Sequence, residues 1–475
     1  MRADVVIVGA GSAGSVLAGR LSERVSRSVL VVEAGPVYTA DTLPDSIRRL
    51  SRPLDPSHDW GDVADSVDGL QLAYTRGRVA GGCSAINATM ALRAVPGDVD
   101  GWGVDGWRWD DLLPHFVAIE RDLDFKAPYH GVDGPLPIVR HTSDELGPVH
   151  AALMERCAEL GFGYEPDHND PGSQGGVGPI PMNRDGAHRV SAADAWLYPA
   201  LDRPNLTAWG DTSVERVVIE GGRAVAVDVV RNGEHVRVEA GEVVLSAGCL
   251  QSPAILMRSG VEHPAVGANL SDHPSAPVFL VPRVELPRGG PSMQGVLRLD
   301  SPVTGRPFDL LMIMTGASPV PTLPGMPPLF LPSLYVSPQT VQRRGRVTLT
   351  ERGVRIDWPF LDDPTCMAEL RAGVRLAAEL VSAGALGDVI SGLHEDVDLR
   401  DDAAIDAFAR RTHRAFLHGS GTCALGDVVD GLLRVQGVDG LRVCDTSVFP
   451  AVPRANPNLT VLAVAHRAAT LIDSA

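Results

Sequence analysis

The chain has 475 residues, of which 44% are hydrophobic and 21% charged, and its formal net charge is −17. This length predicts two or three folded units, and the composition is that of an ordinary globular protein. The negative charge argues against nucleic acid or anionic lipid as a partner, because both would repel the chain, and it favours a small-molecule ligand.

The first apolar run, residues 4–8, begins almost at the N-terminal methionine and predicts a buried parallel strand. It leaves no room for a secretory signal, and no later apolar run reaches the roughly 18 residues that span a bilayer. The six cysteines are scattered, without metal-ligand spacing. We therefore expect a cytoplasmic protein with no metal site, no disulfide framework and no integral membrane segment.

A glycine loop follows this strand. Gly9, Gly11 and Gly14 precede a segment with helical spacing, and a second apolar run at 29–33 ends in Glu33. This order predicts a Rossmann-like unit, in which Gly9 makes the turn, Gly11 admits a pyrophosphate and Gly14 lets the helix pack on the strand. The helix amides would face the phosphates, and Glu33 the hydroxyls of an adenosine ribose. A plain glycine turn with an incidental acid is the alternative, and the motif alone does not separate FAD from NAD.

A second glycine loop comes after a polar, turn-rich stretch over 36–75. It runs from Gly81 to Ser84, ahead of an apolar segment that contains Asn87. Such a loop brings backbone amides close to a flat or anionic ligand, although a plain tight turn has the same letters.

Helix and strand signals continue through the middle of the chain. Three of the seven tryptophans fall in 100–122 and predict packing, next to a helix capped by Asp110 or Asp111. Residues 214–248 predict a three-stranded β-meander with Gly-Gly and Asn-Gly turns. The last strand ends at Gly248 before a helix, where backbone can meet a cofactor or simply connect two elements.

A proline-rich part follows, but it still carries secondary-structure signals. A strand at 308–314 and a hairpin at 345–358 indicate a folded antiparallel unit, and a long helix is predicted over about 364–383. The run 319–332 could be a loop at a substrate entrance or a rigid connector. The last part of the chain predicts a buried strand at 440–450 and an apolar helix at 460–472. We expect these two elements to pack on the N-terminal Rossmann-like unit.

Taken together, the chain resembles the glucose-methanol-choline family of FAD-dependent oxidoreductases. Six stretches carry the resemblance in the expected order over nearly the whole chain: VVIVGAGSAGSVLAGRLSE with Glu33, GGCSAIN, GCLQSPAILMRSGV, VGANLSDHP, HGSGTCALG and VCDTSVFPAVPRANPNLT. The chain is short for the family, and in this it is most similar to the members associated with the bacterial mycofactocin system.

The resemblance implies an α/β fold, with a discontinuous Rossmann-like FAD-binding domain that contains the β-meander and an α+β substrate domain built on an antiparallel sheet. Ile86 stands where some members carry a histidine bonded to the flavin, so the FAD is expected to be noncovalent. We expect the FAD-binding domain over 1–150, 185–280 and 425–475, and the substrate domain over 151–184 and 281–424.

The same resemblance implies the site residues. His418 falls on the catalytic histidine of the family and Asn456 on its second catalytic position. The expected cofactor-binding residues are Gly9, Gly11, Ser12, Ala13, Gly14, Glu33, Ala34, Gly81, Gly82, Cys83, Ser84, Asn87, Val214, Ala247, Gly248, Asp445, Asn458 and Thr460.

The expected chemistry is oxidation of an alcohol. A hydride leaves the carbinol carbon for flavin N5 while the hydroxyl loses its proton, so a base must lie within hydrogen-bond reach. A histidine such as His418 can take a proton near neutral pH, and Asn456 can donate to the same oxygen without adding a second charge. Gly419, Ser420 and Gly421 are expected to leave space for the flavin edge and the substrate.

Three alternatives stay open. The chain could be an FAD-containing lyase of the hydroxynitrile lyase type, an oxygen-using alcohol oxidase, or a non-catalytic binding or electron-relay protein. For a dehydrogenase, the expected electron acceptor is a quinone or a redox protein rather than NAD. The similarity to the mycofactocin-associated members implies mycofactocinol as a substrate.

Overall fold

The computed structural model describes residues 1–39, 41–50, 56–287, 292–320, 329–351 and 353–474. Its α-helices are α1 (Ser12–Leu21), α2 (Asp45–Arg48), α3 (Pro96–Asp100), α4 (Trp109–Ile119), α5 (Pro148–Glu159), α6 (Gly248–Arg258), α7 (Pro364–Ser382), α8 (Gly384–Val389), α9 (Asp402–Thr412) and α10 (Pro457–Asp473).

The strands follow in chain order: β1 (Arg2–Val8), β2 (Val29–Val32), β3 (Val63–Ser66), β4 (Gln71–Ala73), β5 (Glu120–Asp122), β6 (Leu136–Ile138), β7 (Gly176–Pro179), β8 (Arg184–Asp185), β9 (His188–Arg189), β10 (Leu206–Trp209), β11 (Thr212–Glu220), β12 (Arg223–Arg231), β13 (Glu234–Leu245), β14 (Pro274–Pro282), β15 (Met293–Leu299), β16 (Leu310–Val320), β17 (Leu329–Pro338), β18 (Arg346–Thr350), β19 (Gly353–Trp358), β20 (Ile390–Leu393), β21 (Arg414–Ala415) and β22 (Leu441–Val443).

The first sheet has the order β10-β2-β1-β13-β12-β11, with β22 paired to β13. Strands β10, β2, β1, β13 and β22 run parallel, and β11 to β13 form the predicted antiparallel meander. Strand β2 is buried along its whole length, as an inner parallel strand requires. Helices α1 and α10 pack against each other beside this sheet, so the two ends of the chain share one hydrophobic core.

The second sheet is antiparallel, with the order β20-β14-β17-β16-β15-β7 and β21 on β14. Helix α7 packs on β17 and buries one face, as its sequence periodicity predicted. Its N-cap is Asp363, whose carboxylate accepts hydrogen bonds from the amides of Thr365 and Cys366. A mainly parallel sheet with an antiparallel meander, and a second, antiparallel sheet with helices, confirm the predicted fold class.

Four details differ from the sequence-based predictions. The hairpin at 345–358 does not join the large antiparallel sheet, since β19 pairs in parallel with β3 in a separate sheet of order β18-β19-β3-β4. The strand expected at 440–450 stops at Val443, because Asp445 caps a short helical turn through the Ser447 amide.

The other two differences concern a helix cap and a boundary. Helix α4 begins at Trp109 with Arg108 as its N-cap, so Asp110 and Asp111 lie in its first turn, where Asp111 accepts a hydrogen bond from the Arg108 amide. The expected domain boundary at residue 280 falls inside β14, whose partners all belong to the antiparallel sheet. The remaining domain limits stay a proposal, and the run 319–332 lies partly outside the described residues.

Among the described residues, no helix combines the length and the apolar character that crossing a bilayer requires.

A buried ionic network links the loop after α4 to residues near β7. His130 contacts Glu120 through Nδ1 at 2.8 Å and Asp167 through Nε2 at 2.7 Å. Two guanidinium groups, those of Arg93 and Arg140, pair with the same carboxylates and with Asp122. The carboxylates with His130 have the arrangement of a metal site, but the guanidinium groups already supply the positive charge, and the expectation of no metal stays a prediction.

We predict that this network makes stability depend on pH. Burial lowers the pKa of His130, but the hydrogen bonds to Asp167 and Glu120 outweigh it and raise the pKa to about 9. The protonated ring therefore stabilises the fold fully below its unfolded-state pKa of about 6.5, and this contribution is lost as the pH rises through about 9. His130→Ala should lower the free energy of unfolding by about 3 kcal/mol at pH 7 and flatten its decline between pH 7 and 9.

Denaturant unfolding at several pH values measures this effect. The matched control is His235→Ala, which removes an exposed side-chain contact with Glu215 and should change the unfolding free energy by less than about 0.5 kcal/mol. Equal effects of the two substitutions would contradict a stabilising role for the network.

Candidate active site

One cavity of about 790 Å³ extends from the first glycine loop to His418. Its walls come from the edge of the parallel sheet, the second glycine loop, the N-termini of α6 and α10, and the segment around His418. This size is in the upper range of small-molecule sites, and the lining comes from several distant parts of the chain.

In the first glycine loop, the backbone of the glycines packs closely against the backbone of neighbouring segments. Gly9 has a φ of +96°, and a Cβ there would lie 2.6 Å from the Ser246 carbonyl oxygen. A Cβ on Gly14 would lie 1.9 Å from the Gly9 carbonyl oxygen, so only glycine lets α1 start this close to β1. No side chain caps α1 at Gly11, so its first amides are free for an anionic group.

Glu33 lies at the end of β2 and is buried. Its carboxylate accepts hydrogen bonds from the Ala10 amide at 2.8 Å and the Gly35 amide at 2.9 Å. Burial raises the pKa of Glu33 to about 7, although these hydrogen bonds act against the shift. The side chain therefore fixes the glycine loop to β2 and still lines the cavity.

The second glycine loop packs directly on the first. Gly82 has a φ of +52°, and a Cβ there would lie 2.8 Å from the Cα of Gly11. Gly81 donates its amide to the Ala10 carbonyl at 2.7 Å, and the buried Ser84 hydroxyl donates to the Gly81 carbonyl at 2.6 Å. The hydrogen bonds of Gly81 and Ser84 thus stabilise the loop on the side away from the cavity. Gly82, Cys83 and Asn87 line the cavity.

Asp445 joins α6 to the loop after β22. Its carboxylate accepts hydrogen bonds from the Gly248 amide, the Ser252 hydroxyl and the Ser447 amide, at 2.9, 2.6 and 2.8 Å. A Cβ on Gly248 would meet no atom within 4 Å, so that side of the backbone is open to the cavity. Burial raises the pKa of the Asp445 carboxyl.

His418 and Asn456 meet at the opposite end of the cavity. The Nε2 atom of His418 lies 3.1 Å from the Nδ2 atom of Asn456, although 38 positions separate the two residues. The residues that line the cavity also include the apolar Met90, Met293, Ile313 and Phe416. His418 and Asn456 therefore lie beside apolar residues. This arrangement suits a substrate whose single polar group is oriented by the polar pair.

The backbone of His418 is fixed by a buried carboxylate. Asp272 Oδ1 accepts the amides of His418 and His273, both at 2.7 Å. Its Oδ2 accepts the Tyr74 hydroxyl at 2.7 Å and the Trp358 indole at 3.1 Å. Burial raises the pKa of Asp272, and these four donors satisfy the carboxylate.

Three side chains at this end were missed by the sequence analysis: Arg76, Asp272 and His273. Arg76 donates to the Leu417 carbonyl, lies 3.8 Å from Cys83 Sγ and lines the cavity. It forms no ion pair with any carboxylate in the part of the chain that the structure describes, and its guanidinium group lies over the Tyr74 ring, 4.7 Å from the ring centroid. Arg76 comes shortly before the second glycine loop, and Asp272 and His273 lie in the stretch VGANLSDHP, but nothing in the sequence placed these three residues beside His418.

The structure brings most of the predicted site residues to the cavity. The ones that line it are Gly9, Gly11, Ser12, Ala13, Glu33, Ala34, Gly82, Cys83, Asn87, Val214, Ala247, Gly248, His418, Asp445, Asn456 and Asn458. Asn458 accepts a hydrogen bond from the Ser12 hydroxyl at 2.9 Å. Gly14, Gly81, Ser84 and Thr460 lie behind the wall, and the Thr460 hydroxyl accepts the Ala94 amide at 3.2 Å.

The small residues after His418 were interpreted wrongly. A Cβ on Gly419 would lie 2.6 Å from Cys249 Sγ, and one on Gly421 would lie 2.4 Å from the Asn269 carbonyl oxygen. Ser420 is fully buried and donates to the His418 carbonyl. These residues are small because the protein packs against their backbone, and of the three only Gly419 lines the cavity.

Burial lowers the pKa of His418 well below its ordinary value, and the neighbouring His273 and Arg76 add to the shift. The imidazole is therefore neutral at pH 7, and one of its ring nitrogens carries a lone pair. A neutral ring next to a carboxamide is suited to accept a proton from a bound hydroxyl group.

The chain was compared with known proteins. The family model described as GMC oxidoreductase matches residues 3–275 with its N-terminal part and 341–465 with its C-terminal part. The 5-(hydroxymethyl)furfural oxidase of Methylovorus sp. (strain MP688) is 33% identical, over 99% of this chain and 98% of the relative. Human mitochondrial choline dehydrogenase is 32% identical, over 98% of this chain and 89% of the relative.

Solved structures agree with these matches. The crystal structure of pyridoxine 4-oxidase from Mesorbium loti has a TM-score of 0.92 at 30% identity and covers 100% of this chain and 99% of that one. A fungal aryl-alcohol oxidase, at 21% identity and a TM-score of 0.85, shows the same fold. The chain therefore belongs to the GMC oxidoreductase family, and it is an FAD-dependent oxidoreductase of the class that acts on alcohols.

Proposed function

We propose that the enzyme oxidises a primary alcohol, with His418 as the base and Asn456 as the group that orients the hydroxyl. The observation that carries this proposal is the 3.1 Å approach of His418 Nε2 and Asn456 Nδ2 at the apolar end of the cavity. A hydroxyl group in front of both atoms would donate to Nε2 and accept from Nδ2.

The remaining wall fits FAD. The uncapped amides of α1 would hold the pyrophosphate, and Glu33 the adenosine ribose. The backbone at Gly248 is open, and Gly82 lines the same cavity, which leaves room for the ring system. Ile86 has no nucleophilic side chain and lines this part of the cavity, so we propose a noncovalent cofactor, which acid precipitation should release into the supernatant.

Bound FAD supplies the hydride acceptor. The protein's part is to remove the hydroxyl proton and to exclude water. His418 Nε2 takes the proton, Asn456 holds the oxygen, and the unpaired positive charge of Arg76 favours the negative charge that builds at this end. Met90, Met293, Ile313 and Phe416 bury the body of the substrate.

The relatives suggest which alcohols to test. Their names give 5-(hydroxymethyl)furfural, choline and pyridoxine, and we add mycofactocinol because the chain is short. We propose an electron acceptor other than NAD, either a quinone, a redox protein or oxygen. The cytoplasmic location stays a prediction that cell fractionation tests.

The test is anaerobic mixing of the flavin-loaded protein with each alcohol, followed at about 450 nm, where oxidised flavin absorbs. We expect bleaching by at least one of them, and subsequent addition of air, quinone or dye then identifies the acceptor. If no alcohol bleaches the flavin and a cyanohydrin is cleaved instead, the lyase alternative replaces this proposal.

The lowered pKa of His418 predicts the pH dependence of the reaction. Only the neutral imidazole accepts a proton, so kcat/KM falls as the pH drops through the pKa of His418 in the free enzyme. Because burial places that pKa well below the ordinary value, kcat/KM should stay level from pH 8 down to about 6. A decline centred near pH 6.5 would contradict the buried, neutral state of His418.

A further inference from the structure

A second imidazole lies directly behind His418. His273 has no exposed surface, and its Nδ1 atom lies 2.9 Å from the Nδ1 atom of His418. The two rings are perpendicular, with their centroids 5.1 Å apart. At this distance one Nδ1 atom must donate a hydrogen and the other must accept it, so the contact links the tautomers of the two rings.

The contact on the other side of His418 decides which ring donates. The Nδ2 atom of Asn456 can only donate, and it lies 3.1 Å from Nε2 of His418, so Nε2 of His418 accepts. A neutral imidazole carries one hydrogen, so the hydrogen of His418 is on Nδ1, and Nδ1 of His273 accepts it.

We propose that His273 is a positioning residue that fixes the tautomer of His418, with the hydrogen on Nδ1 and the lone pair on Nε2, where it faces the cavity. This inference rests on the proposed function of His418 as the base.

The arrangement also assists the proton transfer. When Nε2 of His418 takes the hydroxyl proton, the ring becomes positively charged and its Nδ1 hydrogen still points at the lone pair of His273. That hydrogen bond becomes charge-assisted and therefore stronger. Asp272 fixes the backbone positions of His273 and His418 relative to each other, because one oxygen atom of its carboxylate accepts hydrogen bonds from the backbone amides of both residues.

Two substitutions separate this role from simple packing. A glutamine at position 273 can accept from His418 Nδ1 through its side-chain oxygen, whereas a phenylalanine fills the space without an acceptor. His273→Phe should lower the rate constant of flavin reduction by about 100-fold or more, while His273→Gln stays within about 10-fold of the unsubstituted enzyme. Flavin content and the apparent Kd for the alcohol should change little in either protein.

Neutron diffraction from the unsubstituted protein gives a second readout that does not depend on turnover or on the folding of a variant. We expect a deuterium on His418 Nδ1 and none on Nε2. A deuterium on Nε2, or a His273→Phe enzyme that reduces its flavin at the normal rate, would overturn the inference. If no alcohol reduces the unsubstituted enzyme, the proposed function fails by itself, and the position of the deuterium still decides whether His273 sets the tautomer.

Discussion

His418→Ala should lower the rate constant of flavin reduction by alcohol by a factor of about 10³, because positioned bases contribute roughly 10²–10⁴ to such reactions. Without the imidazole, no side chain is left at Nε2 to take the hydroxyl proton next to Asn456. The protein should still fold and keep its flavin, since the backbone amide of residue 418 can still donate to Asp272. Stopped-flow absorbance under anaerobic conditions measures the rate constant.

The matched control is His235→Ala, which changes a histidine that is mostly exposed on the meander. It should leave the rate constant unchanged. A His418→Ala enzyme that keeps its flavin and reduces it within about threefold of the normal rate would contradict the role of His418 as the base.

Gly14→Ala should abolish flavin binding and lower the free energy of unfolding by about 3 kcal/mol. The added methyl group would lie 1.9 Å from the Gly9 carbonyl oxygen, and neither atom belongs to a flexible side chain. Helix α1 must therefore move away from β1, and its free amides move with it. Flavin content after purification and denaturant unfolding measure the two effects.

Gly163→Ala is the control for this substitution. Gly163 is exposed, has no positive φ, and a Cβ there would meet no atom within 4 Å. Gly163→Ala should leave the flavin content unchanged and should change the free energy of unfolding by less than about 0.5 kcal/mol. A Gly14→Ala protein that binds flavin as well as the Gly163→Ala protein would contradict the close packing in the first glycine loop.

Much of the fold could be predicted because its signals are local. The glycine loop between β1 and α1, the meander with its two short turns, and the Pro364–Ser382 helix each depend on neighbouring residues. Periodicity and turn chemistry therefore determine them before any tertiary contact is known. The resemblance to a family added the order in which these units assemble.

Contacts between distant parts of the chain could not be predicted in this way. His273 reaches His418 across 145 positions, and β19 pairs with β3 although nearly 300 residues separate them. The composition of residues 419–421 predicts open space, but small residues occur equally where another backbone or a buried thiol packs closely. Only the three-dimensional arrangement distinguishes the two uses.

The central claim is that one cavity holds the flavin at its glycine-lined wall and the alcohol between His418 and Asn456. A crystal structure of the flavin-loaded enzyme with a bound alcohol or inert analogue tests it most directly. We predict the hydroxyl oxygen within hydrogen-bond distance of both His418 Nε2 and Asn456 Nδ2, with the ring system on the same side. A ligand whose hydroxyl binds elsewhere, with His418 turned away from the ring system, would contradict the account.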